Sequence, residues 1–435
     1  MTEPLSATAV EKATMRKVSL RLVPFLMVCY FFALLDRVNV GFAALQMNKE
    51  LGLSPAVFGL GASLFFVSYF LVEVPSNLAL EKYGARRWIA RIMITWGLVS
   101  AGMAFVVGPN SFYVMRFILG AAEAGFFPGV VLFLTYWFPP AYRGRIVATF
   151  MVSIPIASFI GSPMSALLLG MDGVLGLKGW QWLFILEAVP TIVLGAACLF
   201  VLTDRPEKAS WLSIEQKEWL ASRVGTGAGK KKAHMSIWQL LRNRQFLLMA
   251  MVCSSASSTG TALSVWQPQI VKSFGLTTIQ TGFVNSIPYG IASILMILWG
   301  RHSDKTGERR WHTAMALILI AVGLGALSLS VGQLAPTVLL LSFALIGAYS
   351  FKGPFWALSS GWLPSSATAA GLAGINAIAN LVGGGAISLV GWIKETTGSY
   401  ALAMLPIVAL TTLGAISVLA ITRDQHKGVV AAGMA

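Results

Sequence analysis

Charged residues are scarce in this sequence. Only 11% of its 435 residues are charged, whereas 56% are hydrophobic and the mean hydropathy is +0.73. Soluble domains carry about 25% charged residues, so this composition excludes an ordinary soluble globular protein. The excess of apolar residues instead predicts an all-α protein that crosses a membrane many times.

Cysteine and histidine are also rare, and neither residue type forms a recognisable chemical motif. The sequence contains no Walker loop, no paired-histidine metal motif and no nucleophile elbow. It therefore predicts no enzyme, no bound metal and no cofactor. The three cysteines lie in apolar runs at spacings that match no metal site, and the four histidines fall in or beside predicted loops: Cys29, Cys198 and Cys253; His234, His302, His312 and His426.

Long apolar runs take up most of the chain. A helix needs about 20 apolar residues to cross the hydrocarbon core of a bilayer. The polar first 19 residues are not followed by an A-x-A cleavage site, so we interpret the first run as a retained helix and not as a signal peptide. We predict twelve spans, numbered 1 to 12 in chain order, at about 20–45, 57–80, 88–107, 112–136, 145–169, 180–202, 246–271, 279–300, 312–332, 335–359, 368–393 and 399–422.

A polar stretch at 203–245 separates six predicted spans from six. It contains "SIEQKEWLASR", which predicts a short amphipathic helix, and then "GTGAGKKKAH", which predicts a flexible basic linker. The loops after spans 2 and 8 resemble each other, with the sequences "NLALEKYGARRW" and "GRHSDKTGERRW". We therefore predict two pseudo-symmetric six-helix bundles with a site between them. The predicted divisions are a tail at 1–19, bundles at 20–202 and 246–422 joined by the linker at 203–245, and a tail at 423–435.

Basic residues outnumber acidic ones, 32 to 17, giving a net charge of +15. With both termini placed inside, 25 of the 32 basic residues fall on the inner side or at the inner ends of spans, four fall on the outer side, and three lie deeper within spans. This asymmetry follows the positive-inside rule. It predicts a multi-pass protein of the inner (plasma) membrane with both termini in the cytoplasm, and it argues against a nucleic-acid partner.

An acid and a base lie side by side within the first span, at Asp36 and Arg37. A charge at the centre of a membrane helix costs about 2.5–3.5 kcal/mol on insertion scales. Neighbouring residues diverge by about 100° around a helix, so the two side chains should have different partners, with Asn39 on a face similar to that of Asp36. The pair either locks span 1 to its neighbours or lines an internal cavity, and we favour the cavity.

Span 4 carries a second pair of charges. Arg116 and Glu123 are seven residues apart, about 10 Å along one helix face, so each needs a partner from another helix. Glu123 is either a functional acid or a buried structural one. We interpret Glu73 and Glu187 as structural and expect Glu73 to bond the arginines of the inner loop.

Several polar residues within the later spans are candidate ligands. Lys352 either snorkels to an interface or supplies a second cation for a multivalent anion, and the sequence leaves both readings open. For the uncharged candidates, a helix–helix hydrogen bond or simple packing is the alternative to a ligand contact. These candidates are Tyr69, Gln267, Trp356, Ser359, Asn376 and Asn380.

Four stretches resemble the major facilitator superfamily, and more narrowly its anion:cation symporter family. They are "LDRVNVGFAALQMNKELGLS", "EVPSNLALEKYGARRW", "RFILGAAEAGFFPGVVLFLTYWFP" and "GPFWAL". Within that family the chain is most similar to bacterial permeases for tartrate, phthalate and 4-hydroxyphenylacetate. Glu81-Lys82 departs from the superfamily's usual acid-Arg-x-Gly loop.

The resemblance implies proton-coupled uptake of an organic anion. It implies that Asp36 and Glu123 carry protons, that Arg37 binds the substrate anion, that Arg116 tunes the acids, and that Gln267 and Asn380 are polar ligands. We add Tyr69, Lys352, Trp356 and Ser359 as candidate substrate contacts.

The predicted mechanism begins with an outward-open cavity, in which Asp36 looks toward span 4. Two proton-carrying acids suit a monoanion, or a dianion in electroneutral transport. The predicted partners are the anion, protons and the lipid bilayer, and we expect the protein to function as a monomer. An anion exchanger or a uniporter would share these buried charges, and a membrane sensor is a third alternative.

Overall fold

A computed structural model describes residues 7–151, 153–224, 242–362 and 368–432, and this part of the chain contains helices and no strand. Twelve helical spans in it are long and apolar enough to cross a membrane. The predicted linker "GTGAGKKKAH" lies outside the described residues.

Each span consists of one helix or of two helices in sequence. The first six spans are Ala7–Glu50, Pro55–Tyr83, Ala85–Gly102 with the 3₁₀ turn Met103–Phe105, Pro109–Glu123 with Phe126–Trp137, Pro140–Met151 with Ser153–Leu169, and Gly179–Val201. The last six are Arg244–Lys272, Thr278–Thr306, Arg310–Gly325 with the 3₁₀ turn Ala326–Ser330, Leu334–Ser350 with Lys352–Trp362, Thr368–Thr397, and Tyr400–Ala432. The connecting segments add the 3₁₀ turns Val174–Gly176 and Pro206–Lys208, and the short helix Ile214–Val224 lies where the sequence predicts one.

Span 1 starts earlier than its apolar run predicts, because the preceding polar turns are amphipathic. Val10, Met15 and Val18 are buried along one side of these turns. Glu11 Oε1 also accepts a hydrogen bond from the Tyr142 hydroxyl group of span 5, at 2.7 Å. The first helix therefore begins near the terminus and packs along the bundle before it reaches the apolar run.

The spans form two bundles of six. Within the first bundle, spans 1, 2 and 3 pack against spans 5, 4 and 6. Within the second bundle, spans 7, 8 and 9 pack against spans 11, 10 and 12. Spans 1, 2 and 5 of the first bundle meet spans 7, 11 and 8 of the second, so any site between the bundles is enclosed by these six spans, together with spans 4 and 10.

An even number of spans places both termini on one face of the protein, which we call the terminal face; the opposite face is the far face. Near the far face the bundles touch backbone to backbone. A Cβ atom at Gly391 of span 11 would lie 2.3 Å from the Pro55 carbonyl oxygen of span 2. A Cβ atom at Gly41 of span 1 would lie 2.7 Å from the Val265 carbonyl oxygen of span 7. Because no side chain fits at these contacts, the far half of the interface is closed.

Candidate functional site

A cavity of about 200 Å³ lies between the two bundles, in the halves of the spans that are nearer the terminal face. Its wall is built from spans 1, 2, 4 and 5 of the first bundle and spans 7, 10 and 11 of the second. With the termini in the cytoplasm, as the charge distribution predicts, this is an inward-facing arrangement and not the outward-open one with which the predicted mechanism begins. The side chains with charges or amide groups on its wall are Arg37, Glu73, Lys352, Asn376 and Asn380.

Arg37 and Glu123 form an ion pair at the edge of this cavity. Arg37 Nε and Nη2 both donate to Glu123 Oε1, at 2.8 and 2.6 Å. The Arg37 side chain is 27% exposed, whereas that of Glu123 is 1% exposed. The guanidinium group also lies over the Tyr69 ring, 5.2 Å from its centroid. The predicted substrate ligand, Arg37, is therefore bound to the predicted proton carrier, Glu123. The Glu123 carboxylate occupies the guanidinium group that a substrate carboxylate would need.

Asp36 faces away from the cavity toward span 3, which corrects the expectation that it looks toward span 4. Its carboxylate accepts hydrogen bonds from Trp96 Nε1 at 2.5 Å, Ser100 Oγ at 2.8 Å and Asn39 Nδ2 at 2.9 Å. The side chain is 2% exposed. As the helix geometry predicts, Asp36 and its neighbour Arg37 have different partners. The error was in the choice of neighbouring span, which depends on how span 1 is rotated within the bundle.

Arg116 is buried one layer behind the ion pair. Its Nη2 donates to the Ala62 carbonyl oxygen of span 2 at 3.3 Å, and its guanidinium group lies 5.0 Å from the centroid of the Phe65 ring. Within the described residues its Nε and Nη1 atoms have no hydrogen-bond partner. Arg116 and Glu123 thus each have a partner on another helix, as their seven-residue spacing predicts, and the two partner helices are spans 2 and 1.

Lys352 belongs to the cavity wall and does not reach out to a membrane interface, and its role as a second cation for an anion stays a prediction. It opens the second helix of span 10 and lines the cavity from the second bundle, opposite Arg37 of the first. Its ammonium group lies 5.4 Å from the centroid of the Tyr349 ring. Tyr69, Trp356 and Asn380, which the sequence marks as candidate ligands, line the same cavity.

Two candidate ligands lie outside the cavity, and for these the predicted placement has to be corrected. Gln267 is fully buried in the far half of span 7, where its Nε2 donates to the Asn285 carbonyl oxygen of span 8 at 3.2 Å. Ser359 is also buried, and its hydroxyl group contacts Met249 Sδ of span 7 at 3.4 Å. Gln267 lies outside the cavity because the far half of the interface is closed. Ser359 lies outside it because of the rotation of span 10.

The two acids interpreted as structural have different surroundings. Glu187 is buried and accepts a hydrogen bond from Ser165 Oγ at 2.9 Å, which agrees with a structural role. Glu73 instead lines the cavity, and the expected bonds to inner-loop arginines are not seen among the described residues. The spacing from Tyr69 to Glu73, four residues along one helix face, is a signal that was available in the sequence.

Hydroxyl groups of span 7 line the cavity and were missed as candidates. Ser257, Thr261 and Ser264 lie on its wall. They are separated by four and three residues, which places them on one side of a helix. The spacing of hydroxyl residues in the stretch "SSASSTGTALS" therefore indicates a polar helix face, from which these contacts could have been predicted.

A carboxylate joins the two bundles at the far face. Glu395 Oε2, near the end of span 11, accepts hydrogen bonds from Ser54 Oγ at 2.6 Å and from the Ala56 backbone nitrogen at 2.8 Å, at the start of span 2. A negative charge at a helix N-terminus is favourable. Together with the close packing of Gly391 against Pro55, this contact holds the far face closed.

Gly391→Val should open the far face. The new side chain cannot fit beside the Pro55 carbonyl oxygen, so spans 2 and 11 must separate. Spin labels at the exposed loop positions Leu175 and Gln333, one in each bundle, should then lie farther apart. Double electron–electron resonance spectroscopy measures the distance between the two labels. Gly385→Val on the same helix is the control, because a Cβ atom there meets nothing within 4 Å. Equal distance distributions in the two variants would contradict the proposed closure.

Two six-span bundles, a polar cavity between them and a closed far face define a membrane transporter. Residues 26–391 match the sequence profile of the Major Facilitator Superfamily, and the chain belongs to that family. It is a multi-pass membrane protein that transports a small organic molecule and is not an enzyme.

Similar proteins agree on the fold and differ in what they are named for. The chain is 49% identical over 418 residues to a protein of Agrobacterium vitis named "Putative tartrate transporter", with 96% of each chain covered. It is 41% identical over 396 residues to the "Quinolone resistance transporter" of Acinetobacter baumannii, with 90% of this chain and 91% of the other covered. A bacterial homologue of the lysosomal transporter Spinster has the same fold, with a TM-score of 0.74 at 15% identity over 92% of this chain and 96% of that one. The predicted resemblance to an organic-acid permease is consistent with the first of these relatives.

Proposed function

We propose that the protein is a proton-coupled symporter that carries an organic dicarboxylate of the tartrate type into the cell. The observation that carries this proposal is the pair of cations facing one cavity from opposite bundles, Arg37 and Lys352. Arginine suits bidentate binding of a carboxylate, and a lysine across the cavity suits a second carboxylate. The hydroxyl groups of span 7 and the amide group of Asn380, which line the same cavity, would bind the hydroxyl groups of such a substrate. The A. vitis relative's name supports this class.

Proton coupling follows from the ion pair at the cavity edge. When Glu123 takes up a proton, Arg37 loses its ionic partner and is free to bind a substrate carboxylate. When the proton leaves toward the terminal face, Glu123 reclaims Arg37 and the substrate is released. Proton and substrate thus favour the same state of Arg37, and each promotes the binding of the other.

Asp36 is the second proposed proton site, and it acts on the packing of span 1. As an anion it accepts three hydrogen bonds, two of them from span 3. A neutral carboxyl group accepts hydrogen bonds more weakly than a carboxylate does. Protonation would therefore loosen span 1 from span 3 and help the bundles to rock. Arg116, buried near Glu123, would tune the charge balance of the pair.

The orientation and assembly state complete the proposal. The basic residues support an inner-membrane protein with both termini in the cytoplasm, so the cavity faces the cytoplasm in this structure. The described residues of one chain supply both bundles and the cavity wall between them, which supports function as a monomer. With two protons per dianion, transport would move no net charge.

Lys352→Met should distinguish a dicarboxylate from a monocarboxylate carrier. Losing one hydrogen bond to a charged group costs about 1.5–3 kcal/mol, which weakens binding of tartrate about 10- to 150-fold. Binding of a monocarboxylate such as lactate, which needs one cation, should change by less than about threefold. Purified variants would be compared by isothermal titration calorimetry, with Lys394→Met, outside the cavity, as the control. Equal losses for both ligands would contradict the two-cation site.

Proton coupling is tested by uptake of tartrate into proteoliposomes. The symporter should acidify the lumen when external tartrate is added without any internal anion. An exchanger would require an internal counter-anion, and a uniporter would carry tartrate without acidifying the lumen. Either result would overturn the proposal.

A further inference from the structure

Glu73 is a carboxyl group of the cavity that the mechanism above does not use. It lies on the cavity wall in span 2, one helical turn nearer the terminal face than Tyr69, whose ring underlies the Arg37 guanidinium group. In the described part of the chain no hydrogen bond or ion pair within the usual distances engages its carboxylate oxygens. The Glu73 side chain is only half-buried and stays open to the cavity, whereas the buried Glu187 is hydrogen-bonded by Ser165, as buried carboxylates normally are. Glu73 is therefore not explained by a structural contact.

The charges around Glu73 show what it would do to a bound dianion. Arg37 and Lys352 supply two positive charges to the cavity, and Glu123 and Glu73 supply two negative ones. With both acids ionised the cavity is neutral and Arg37 is already paired. With both acids protonated the cavity carries +2, which matches a dicarboxylate. The other titratable groups on the wall ordinarily stay neutral: Tyr30, Tyr69, Cys253 and Tyr349.

We propose that Glu73 is a third proton-carrying residue of the transport cycle, loaded together with the substrate and unloaded with it. This inference rests on the proposed symport of a dicarboxylate. An ionised Glu73 would repel a dianion bound in the same cavity, because like charges in a partly enclosed cavity are screened less than in bulk water. A proton from the far side therefore neutralises Glu73 as the dianion binds, and the same proton passes to water at the terminal face as the dianion leaves.

The proposed stoichiometry is then three protons per dianion, whereas two proton-carrying acids give two. Protons on Asp36, Glu123 and Glu73 accompany one dianion, so each cycle moves one net positive charge inward. The membrane potential would drive accumulation in addition to the pH gradient. Without Glu73, transport of the same dianion would be electroneutral.

The test is a null-flux measurement in proteoliposomes with radiolabelled tartrate, comparing the wild type with Glu73→Gln. At a pH difference of one unit and no membrane potential, net flux should stop at a tartrate gradient of about 1,000-fold for three protons and about 100-fold for two, since each proton contributes a factor of ten. An imposed potential should shift the wild-type balance about tenfold per 59 mV and leave that of Glu73→Gln unchanged. Glu81→Gln, an exposed acid on the same helix, is the matched control and should behave as the wild type.

Each outcome bears on a separate claim. A wild-type gradient of about 1,000-fold that falls to about 100-fold only in Glu73→Gln supports the third proton site. Equal gradients in the wild type and Glu73→Gln, at either value, overturn the role of Glu73 and leave the proposed symport standing. A wild type in which the pH gradient has no effect overturns the symport itself, and the third proton site with it.

Discussion

Glu123→Gln is expected to abolish uphill, pH-driven uptake while substrate binding and exchange persist. Glutamine has nearly the shape of glutamate and cannot ionise, so Arg37 stays free at every pH. The substrate then binds whether or not a proton is present, and the linkage between proton and substrate is lost. With a pH difference of one unit, accumulation should fall from at least about 100-fold in the wild type to about onefold.

Glu123→Gln should reduce substrate accumulation more than Glu73→Gln does, for a physical reason. Glu123 is the acid that holds Arg37 in the structure, so its loss removes the competition that makes coupling strict. Glu73 changes the number of protons but leaves this competition in place. Glu123→Gln should therefore leak substrate down its gradient, whereas Glu73→Gln should remain coupled with fewer protons.

A second buried glutamate provides the matched control for Glu123. Glu187→Gln makes the same chemical change at a side chain that is also buried and that lies away from the cavity, hydrogen-bonded by Ser165. It should preserve the pH-driven gradient once expression and thermal stability are matched. Wild-type accumulation by Glu123→Gln would show that another group couples the proton to the substrate.

The fold was predictable from the sequence because a bilayer imposes a single requirement on length and polarity. Every backbone polar group must be satisfied within the membrane, so each run of about 20 apolar residues had to be a helix. The start of span 1 was the exception, since its amphipathic turns at Val10 to Val18 do not resemble a membrane span. Their burial depends on the helices beside them, which hydropathy does not describe.

Only those features of the site that depend on the geometry of a single helix could be predicted from the sequence. The divergence of Asp36 and Arg37 follows from helical geometry alone, and the structure shows it. Their partners depend on the rotation of span 1, which placed Asp36 beside Trp96 and Ser100 of span 3. Gln267 lies outside the cavity for another reason, because its access depends on which face of the transporter is closed. A single sequence encodes every state of the cycle.

Arg37→Lys is expected to weaken tartrate binding about 10- to 150-fold. Lysine replaces a planar fork with a point charge, so at least one charge-assisted hydrogen bond, worth about 1.5–3 kcal/mol, is lost. About 1.4 kcal/mol corresponds to a factor of ten in the dissociation constant. Calorimetric titration of the purified variant with tartrate measures the change directly.

A control arginine separates this loss from a general effect of the substitution. Arg91→Lys alters a guanidinium group that also lies over an aromatic ring, 3.9 Å from the centroid of Trp88, but outside the cavity. It should leave tartrate binding unchanged. Because lysine still carries a charge that Glu123 can hold, Arg37→Lys should keep its proton coupling at saturating substrate, and only its affinity should fall. Unchanged affinity would remove Arg37 from the ligand set, whereas lost coupling at saturation would mean that Glu123 needs the two-pronged contact of an arginine to compete with the substrate.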